Sequence, residues 1–260
     1  MTKALTSVEI LMKSLQDKIA IVTGASSGIG EATALMLSEH GAKVTLAARR
    51  KDRLGNVKKK IDGMGGEAII VQTDVTQRAQ VEAMVRATIK KWKRVDILIN
   101  NAGVMLLSFY QNLKVEEWER MIDINIKGVL YGIAAVLPIM REQRSGHIIN
   151  VSSDAARKVF PGSGVYSGTK AAVNWIFEGL RFELAREKMP IRVTTIMPGG
   201  VTTELTKHIT DPMVFESFKS FPAIEFMQAK DVAEAILYAL MQETRVDINE
   251  ILLRSTEQAT

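Results

Sequence analysis

From Ile19 onward, short apolar runs alternate with longer amphipathic stretches, and no linker interrupts the alternation. The runs are IAIVTG (19–24), KVTLAAR (43–49), EAIIVQT (67–73), DILINNA (96–102), HIINVSS (147–153), IRVTTIMPG (191–199) and EILLRS (250–255). Each is short and rich in β-branched residues, as a strand buried on both faces requires. The stretches between them carry helical periodicity. Strand and helix repeating in this way predict an α/β fold, a doubly wound, Rossmann-type parallel sheet of seven strands with helices on both faces. A single domain over residues 15–260 is expected, with residues 1–14 as an N-terminal extension to which no role is assigned. Residues 202–228 break the rhythm with scattered Phe, Met and Pro, and a long irregular insertion of this kind predicts a substrate lid.

Composition narrows the class. With 260 residues and 47% hydrophobic positions, the chain has enough apolar surface for a large core. It has no cysteine, which excludes disulfides, thiolate metal sites and a cysteine nucleophile, and fits a reducing compartment. His40, His147 and His208 are scattered without metal-ligand spacing, so no metal is expected. The net charge of +5 and the pI near 9.3 come from Lys and Arg spread over the helical stretches. Without a basic stripe interleaved with aromatics, no nucleic-acid partner is expected. No apolar run looks long enough to span a bilayer and residues 1–14 lack a signal-peptide pattern, so a cytoplasmic protein without a membrane partner is expected.

Candidate chemistry begins after the first run. TGASSGIGEATALML places Gly24, Gly28 and Gly30 between a strand and a helix, with Ser26, Ser27 and Ile29 among them. The spacing departs from G-x-G-x-x-G, but the mechanics are the same: glycines let the backbone approach a pyrophosphate lying at the helix N-terminus. The second run ends Ala48-Arg49-Arg50, where a dinucleotide lacking the 2′-phosphate would usually find a carboxylate for its ribose. Guanidinium groups there suit a 2′-phosphate, and NADP(H) is the expected cofactor. The alternative is a solvated basic run, since ARRKDR also opens a helix.

A second constellation lies in VSSDAARKVFPGSGVYSGTKAAVNWIFEGL. Lys170 follows Tyr166 by four places in a helical segment, so the two side chains share one face about a turn apart. An ammonium beside the phenol is expected to lower the tyrosine pKa from roughly 10 towards working pH, which would make a proton-transfer pair. Ser153 closes the fifth run, at the strand end where ligands of open α/β sheets bind, and could donate a hydrogen bond to a substrate oxygen.

Together these residues resemble the short-chain dehydrogenase/reductase family in its compact single-domain form, over nearly the whole chain from about Asp17. TGASSGIG resembles the family's TGxxxGIG, Asn100-Asn101-Ala102-Gly103 its NNAG, Tyr166 with Lys170 its YxxxK, and Pro198-Gly199 with Val201 and Thr203 its PG-x-V-x-T segment. Asn125 and Ser153 match its helix asparagine and its serine. The resemblance implies hydride transfer between a nicotinamide and a carbonyl or alcohol carbon. Tyr166 would be the acid or base, Ser153 would polarise the substrate oxygen, Lys170 would hold ribose and tune Tyr166, and Asn125 would hold a water in a proton relay. Asp74, Val75, Asn101, Ala102 and Gly103 would line the adenosine pocket, although NNAG would equally serve tight strand-to-helix packing.

The resemblance also implies a homotetramer or homodimer, and the helix after Tyr166 agrees, being apolar around too much of its circumference for one buried face. The expected substrate is a small carbonyl or alcohol compound. A 3-oxoacyl thioester reductase is an alternative that would use Arg157 and Lys158 as cations at the site mouth, and a non-catalytic dinucleotide sensor is another. Met105, Leu106, Leu107, Val159, Phe160, Met213, Phe215, Phe218, Phe221 and Phe226 would either wall an apolar pocket or pack the lid down.

Overall fold

A computed structural model describes residues 15–219 and 224–259. The extension 1–14 and Phe221 of the expected lid lie outside the described residues. Seven strands form one parallel sheet: β1 (Ile19–Thr23), β2 (Lys43–Ala48), β3 (Ala68–Gln72), β4 (Ile97–Asn100), β5 (Gly146–Val151), β6 (Ile191–Pro198) and β7 (Glu250–Leu253). Their order is β3-β2-β1-β4-β5-β6-β7. Every apolar run of the sequence became a strand, each ending a residue or two short of its run. The trimmed ends are the loops that build the site.

The helices are α1 (Gly28–Glu39), α2 (Lys51–Gly63), α3 (Arg78–Trp92), α4 (Val115–Gln143), α5 (Gly164–Arg186), α6 (Pro212–Phe218) and α7 (Ala229–Met241). Alternation along the strands divides the core into two layers. Ala20 and Val22 of β1, with Ile97 and Ile99 of β4, face α1, α2 and α7, where Leu37, Leu54 and Ile236 pack. Ile21 and Leu98 face the other way, onto Met84 of α3, Val136 of α4 and Phe177 of α5. A third cluster joins the loop after β4 to the start of α5 and to α6.

Two features of α4 differ from expectation. Its 29 residues are long and apolar enough, by length and composition alone, to cross a membrane. Val129, Val136 and Met140 are instead packed into the core against the sheet, and the ion pair Lys127–Asp123 sits midway along the helix. The helix also widens to a π turn at Asp123–Lys127, with Asn125 inside it.

The expected lid is an arm with two short helical pieces, Leu205–His208 and α6. Buried Asp211 pins it down. One carboxylate oxygen accepts from Phe109 N at 2.9 Å and Asn112 Nδ2 at 2.7 Å, and the other caps α6 through Met213 N at 3.0 Å. These donors hold the Asp211 carboxyl below its ordinary range despite the opposing effect of desolvation. Phe218 packs against Phe160 with centroids 6.4 Å apart, and Leu106, Leu107 and Val214 are buried beside them. Val159, Met213, Phe215 and Phe226 are exposed. Leu106, Leu107, Phe160 and Phe218 therefore pack the arm down, while the exposed four do not.

Candidate active site

The cleft opens at the carboxyl ends of the strands, where β1 lies between β2 and β4 and the direction of winding reverses. Its floor is the turn from β1 into α1. Gly24 and Gly28 have φ of +67° and +56°, a region that side chains disfavour. A Cβ on Gly30 would lie 2.3 Å from Gly24 O, so this glycine lets α1 close onto β1 and does not face the cleft. Thr23, which the sequence reading did not single out, locks the turn to the neighbouring strand. Its Oγ1 donates to Ile99 O at 3.1 Å and accepts from Asn101 N and Ala102 N at 3.0 and 3.1 Å.

Of the expected dinucleotide contacts, Gly24, Ser26, Ser27, Gly28 and Ile29 line the cleft, as do Arg49, Arg50, Asp74 and Val75. Asn101, Ala102, Gly103 and Thr203 line it too, with Tyr166 and Lys170 at the far end. Gly30, Pro198, Gly199 and Val201 stand behind the lining; the last three form the base of the arm. The glycine conformations and an N-terminus of α1 without a side-chain cap fit a dinucleotide pyrophosphate.

The basic end differs in detail from expectation. Arg49 is exposed at the rim, its carbonyl accepting from Gln72 Nε2 at 3.0 Å. Arg50 is the anchored guanidinium, donating to Ser26 Oγ at 3.1 Å, Ser27 Oγ at 2.7 Å and Glu204 Oε2 at 3.0 Å. Arg53 reaches the same Glu204 oxygen at 2.7 Å. These two arginines hold the Glu204 carboxyl down to about 2 and tie the first turn of the arm to the start of α2. No local pattern marks Glu204, since its partners lie far away in sequence.

At the other end, Tyr166 is 5% exposed and Lys170 7%. The lysine Nζ donates to Val151 O at 2.9 Å and stands 5.9 Å from the Tyr166 ring centroid. Burial pushes Tyr166 up to about 12, opposed by a hydrogen bond from Ser153 and assisted by the Asp154 charge. The same burial lowers Lys170 to about 8. Here the expectation that lysine draws the phenol down is corrected: the ammonium is turned to a strand carbonyl, and desolvation is the largest influence on both groups.

Asn125, in the π turn, is 1% exposed. Its Oδ1 accepts from Val104 N at 2.9 Å, and its Nδ2 donates to Val104 O at 2.9 Å and Thr169 Oγ1 at 3.1 Å. The side-chain amide therefore clamps the loop after β4 onto α5. A Cβ on Gly103 would lie 3.4 Å from Asn125 Oδ1 and 3.5 Å from Lys170 Nζ, which places all three at one corner of the cleft.

His208 also lines the cleft, unforeseen, whereas His147 is buried against Thr194 at 2.7 Å and kept neutral by desolvation. Among the described residues no group of His, Asp or Glu could hold a metal.

A glycine-lined turn at the switch point of a parallel sheet, with a buried Tyr–Lys–Ser corner beyond it, defines a Rossmann-type oxidoreductase. More narrowly, the chain belongs to the short-chain dehydrogenase/reductase family: the family model described as short chain dehydrogenase matches residues 18–213. An uncharacterised oxidoreductase of Staphylococcus saprophyticus is 47% identical over 249 residues, 95% of this chain and 100% of that protein. Among solved structures, the closed form of a serine dehydrogenase complexed with NADP+ is 36% identical with a TM-score of 0.85, covering 93% of this chain and 96% of that one. A Burkholderia phymatum family member in complex with NAD is 27% identical with a TM-score of 0.82, covering 92% and 89%.

Proposed function

We propose that the protein is an NADP(H)-dependent oxidoreductase acting on a small carbonyl compound or secondary alcohol, with Tyr166 as general acid and base. The observation that carries the reading is that Tyr166 and Lys170 line one end of a glycine-floored cleft, with Ser153 behind the lining and hydrogen-bonded to Tyr166. When bound, a nicotinamide dinucleotide supplies the capacity to give or take a hydride. The chain supplies the rest. Tyr166 holds its proton at neutral pH and can give it to a carbonyl oxygen that accepts negative charge. Ser153 Oγ, held by Ala155 N at 3.1 Å, is placed to hydrogen-bond that same oxygen. Lys170 keeps a cation beside the corner, and Asn125 fixes the backbone of the opposite wall.

The cations that the thioester alternative would use are both paired, Arg157 with Glu250 and Lys158 with Asp154. Solved relatives hold NADP+ or NAD, so the choice falls to the end of β2. Ala48 offers no carboxylate there, and Arg49 and Arg50 both line the cleft. A charge-assisted bond from Arg49 to a 2′-phosphate is worth about 1.5–3 kcal/mol, ten- to a hundredfold in affinity. NADPH should therefore exceed NADH in kcat/KM. Arg49→Ala should remove most of the margin, and Ala48→Asp should reverse it by placing a carboxylate where the phosphate would lie. A wild type preferring NADH, or a ratio indifferent to Arg49→Ala, would leave Arg49 as a solvated residue before α2.

A further inference from the structure

Asp154 follows Ser153 directly and is 5% exposed. Its Oδ2 accepts from Lys158 Nζ at 2.7 Å, Arg254 Nε at 3.0 Å and Gln258 Nε2 at 2.9 Å, and its Oδ1 lies 3.5 Å from Ser153 Oγ. Two of those donors come from the C-terminal tail, about a hundred residues away. The short 3-10 turn Asp154–Ala156 does not need them, since it closes on its own backbone through Ala156 N to Ser153 O and Arg157 N to Asp154 O, both 3.0 Å. Gln258 carries the connection further. Its Oε1 accepts from Gly200 N at 2.8 Å, and a Cβ on Gly199 would meet that oxygen at 2.3 Å. One tail thus grips the turn after β5, which presents Ser153, and the turn after β6, at the base of the arm.

We propose that Asp154 is a positioning residue for proton transfer at Tyr166: the tail holds its carboxylate through Arg254 and Gln258, and the charge balance there sets how readily the phenol releases its proton. The proposal rests on reading Tyr166 as the proton-transfer group. Burial and the Asp154 charge both favour the neutral phenol, and the Ser153 hydrogen bond favours the phenolate. Lys170 of α5 stands over the Tyr166 ring, while Lys158 from the loop before α5 and Arg254 from the tail pair with Asp154. His208 and Glu204 line the same cleft from the arm, and Asp74 lines it from the loop after β3. Lys158 and Arg254 offset Asp154, so removing the anion and removing either cation should move Tyr166 in opposite directions. A merely structural cluster would give no such opposition.

The test reads Tyr166 directly, by the carbon-13 resonance of labelled tyrosine Cζ, assigned by its loss in Tyr166→Phe. It is titrated in the full chain alone and with NADP+ added. Asp154→Asn keeps the shape and should shift the titration down by about one pH unit, the scale of one partly screened charge. Arg254→Met and Lys158→Met should each shift it up, Arg254→Lys should restore it, and Asp154→Asn with Arg254→Met should return it near wild type. Shifts of the same sign, or no shift in folded Arg254→Met and Lys158→Met proteins, would overturn the proposal, even if Asp154→Asn fails to fold. Because the resonance needs no turnover, a protein inactive on every carbonyl tried would count against the oxidoreductase reading and leave this result separate.

Discussion

Burial acts on Tyr166 and Lys170 in opposite directions, because it penalises the charged form of each. Lys170, lowered from 10.5 to about 8, remains mostly protonated at pH 7 and bears the desolvation cost there. That cost is about 3 kcal/mol. Between pH 8 and 10.5 the unfolded chain holds a proton that the folded chain has begun to release, so this group's contribution to stability rises with pH across the window. Lys170→Met should therefore melt no lower than wild type at pH 7, while losing both turnover and affinity for NADP(H). A lower melting temperature would show that the bond to Val151 O outweighs desolvation. Tyr166→Phe should bind cofactor within about twofold of wild type and lose about 10²- to 10⁴-fold in kcat, the usual contribution of a positioned acid. Equal losses in binding and turnover would make Tyr166 a packing residue.

At the scale of the element, the turn from β1 into α1 is the least forgiving piece. Gly30→Ala would drive a methyl into Gly24 O and Asn101 Nδ2, at 2.3 and 2.4 Å. Relief requires α1 to move off the sheet, at a cost of about 1–3 kcal/mol. The measurable outcome is an earlier denaturation midpoint together with weaker cofactor binding; unchanged binding would mean that the helix can move without disturbing the cradle. This turn was legible in the sequence because its glycines are local, and the strands were legible because buried parallel strands are short apolar runs. The π turn of α4 was not, since one extra residue in a turn leaves no mark on composition. Nor was the packing of the arm, where Asp211 meets Phe109 and Asn112 about a hundred residues away. Asp154 and Glu204 escaped notice for the same reason: each acquires its distinctive partners from distant parts of the chain.

For the whole molecule, the two-sided core accounts for the inward faces of α4 and α5 and leaves apolar groups outside it. Trp175 is 77% exposed and Phe182 60%, on α5, and Leu130 of α4 is 41% exposed. These faces are the basis for proposing a homodimer or homotetramer, since large apolar side chains on exposed helices mark association surfaces. Trp175→Glu with Phe182→Glu should shift wild-type oligomers to a smaller species in sedimentation velocity. A monomeric wild type would remove the proposal.

The π turn has a consequence for how α4 tolerates change. A helix carrying one surplus residue is out of phase with itself: its two halves are rotated about 100° from where unbroken α-bonding would set them. Deleting one residue between Asp123 and Lys127 would let the ladder close and would swing the upstream half round by that angle. Asn125 would then leave Val104 and Thr169, although no side chain of the corner had been replaced. Exchanges of residue type leave that phase untouched, whereas an insertion or deletion does not. The residue count of α4 is thus as functional a quantity as its chemistry, acting as a spacer that aims one half of the helix at the sheet and the other at the cleft.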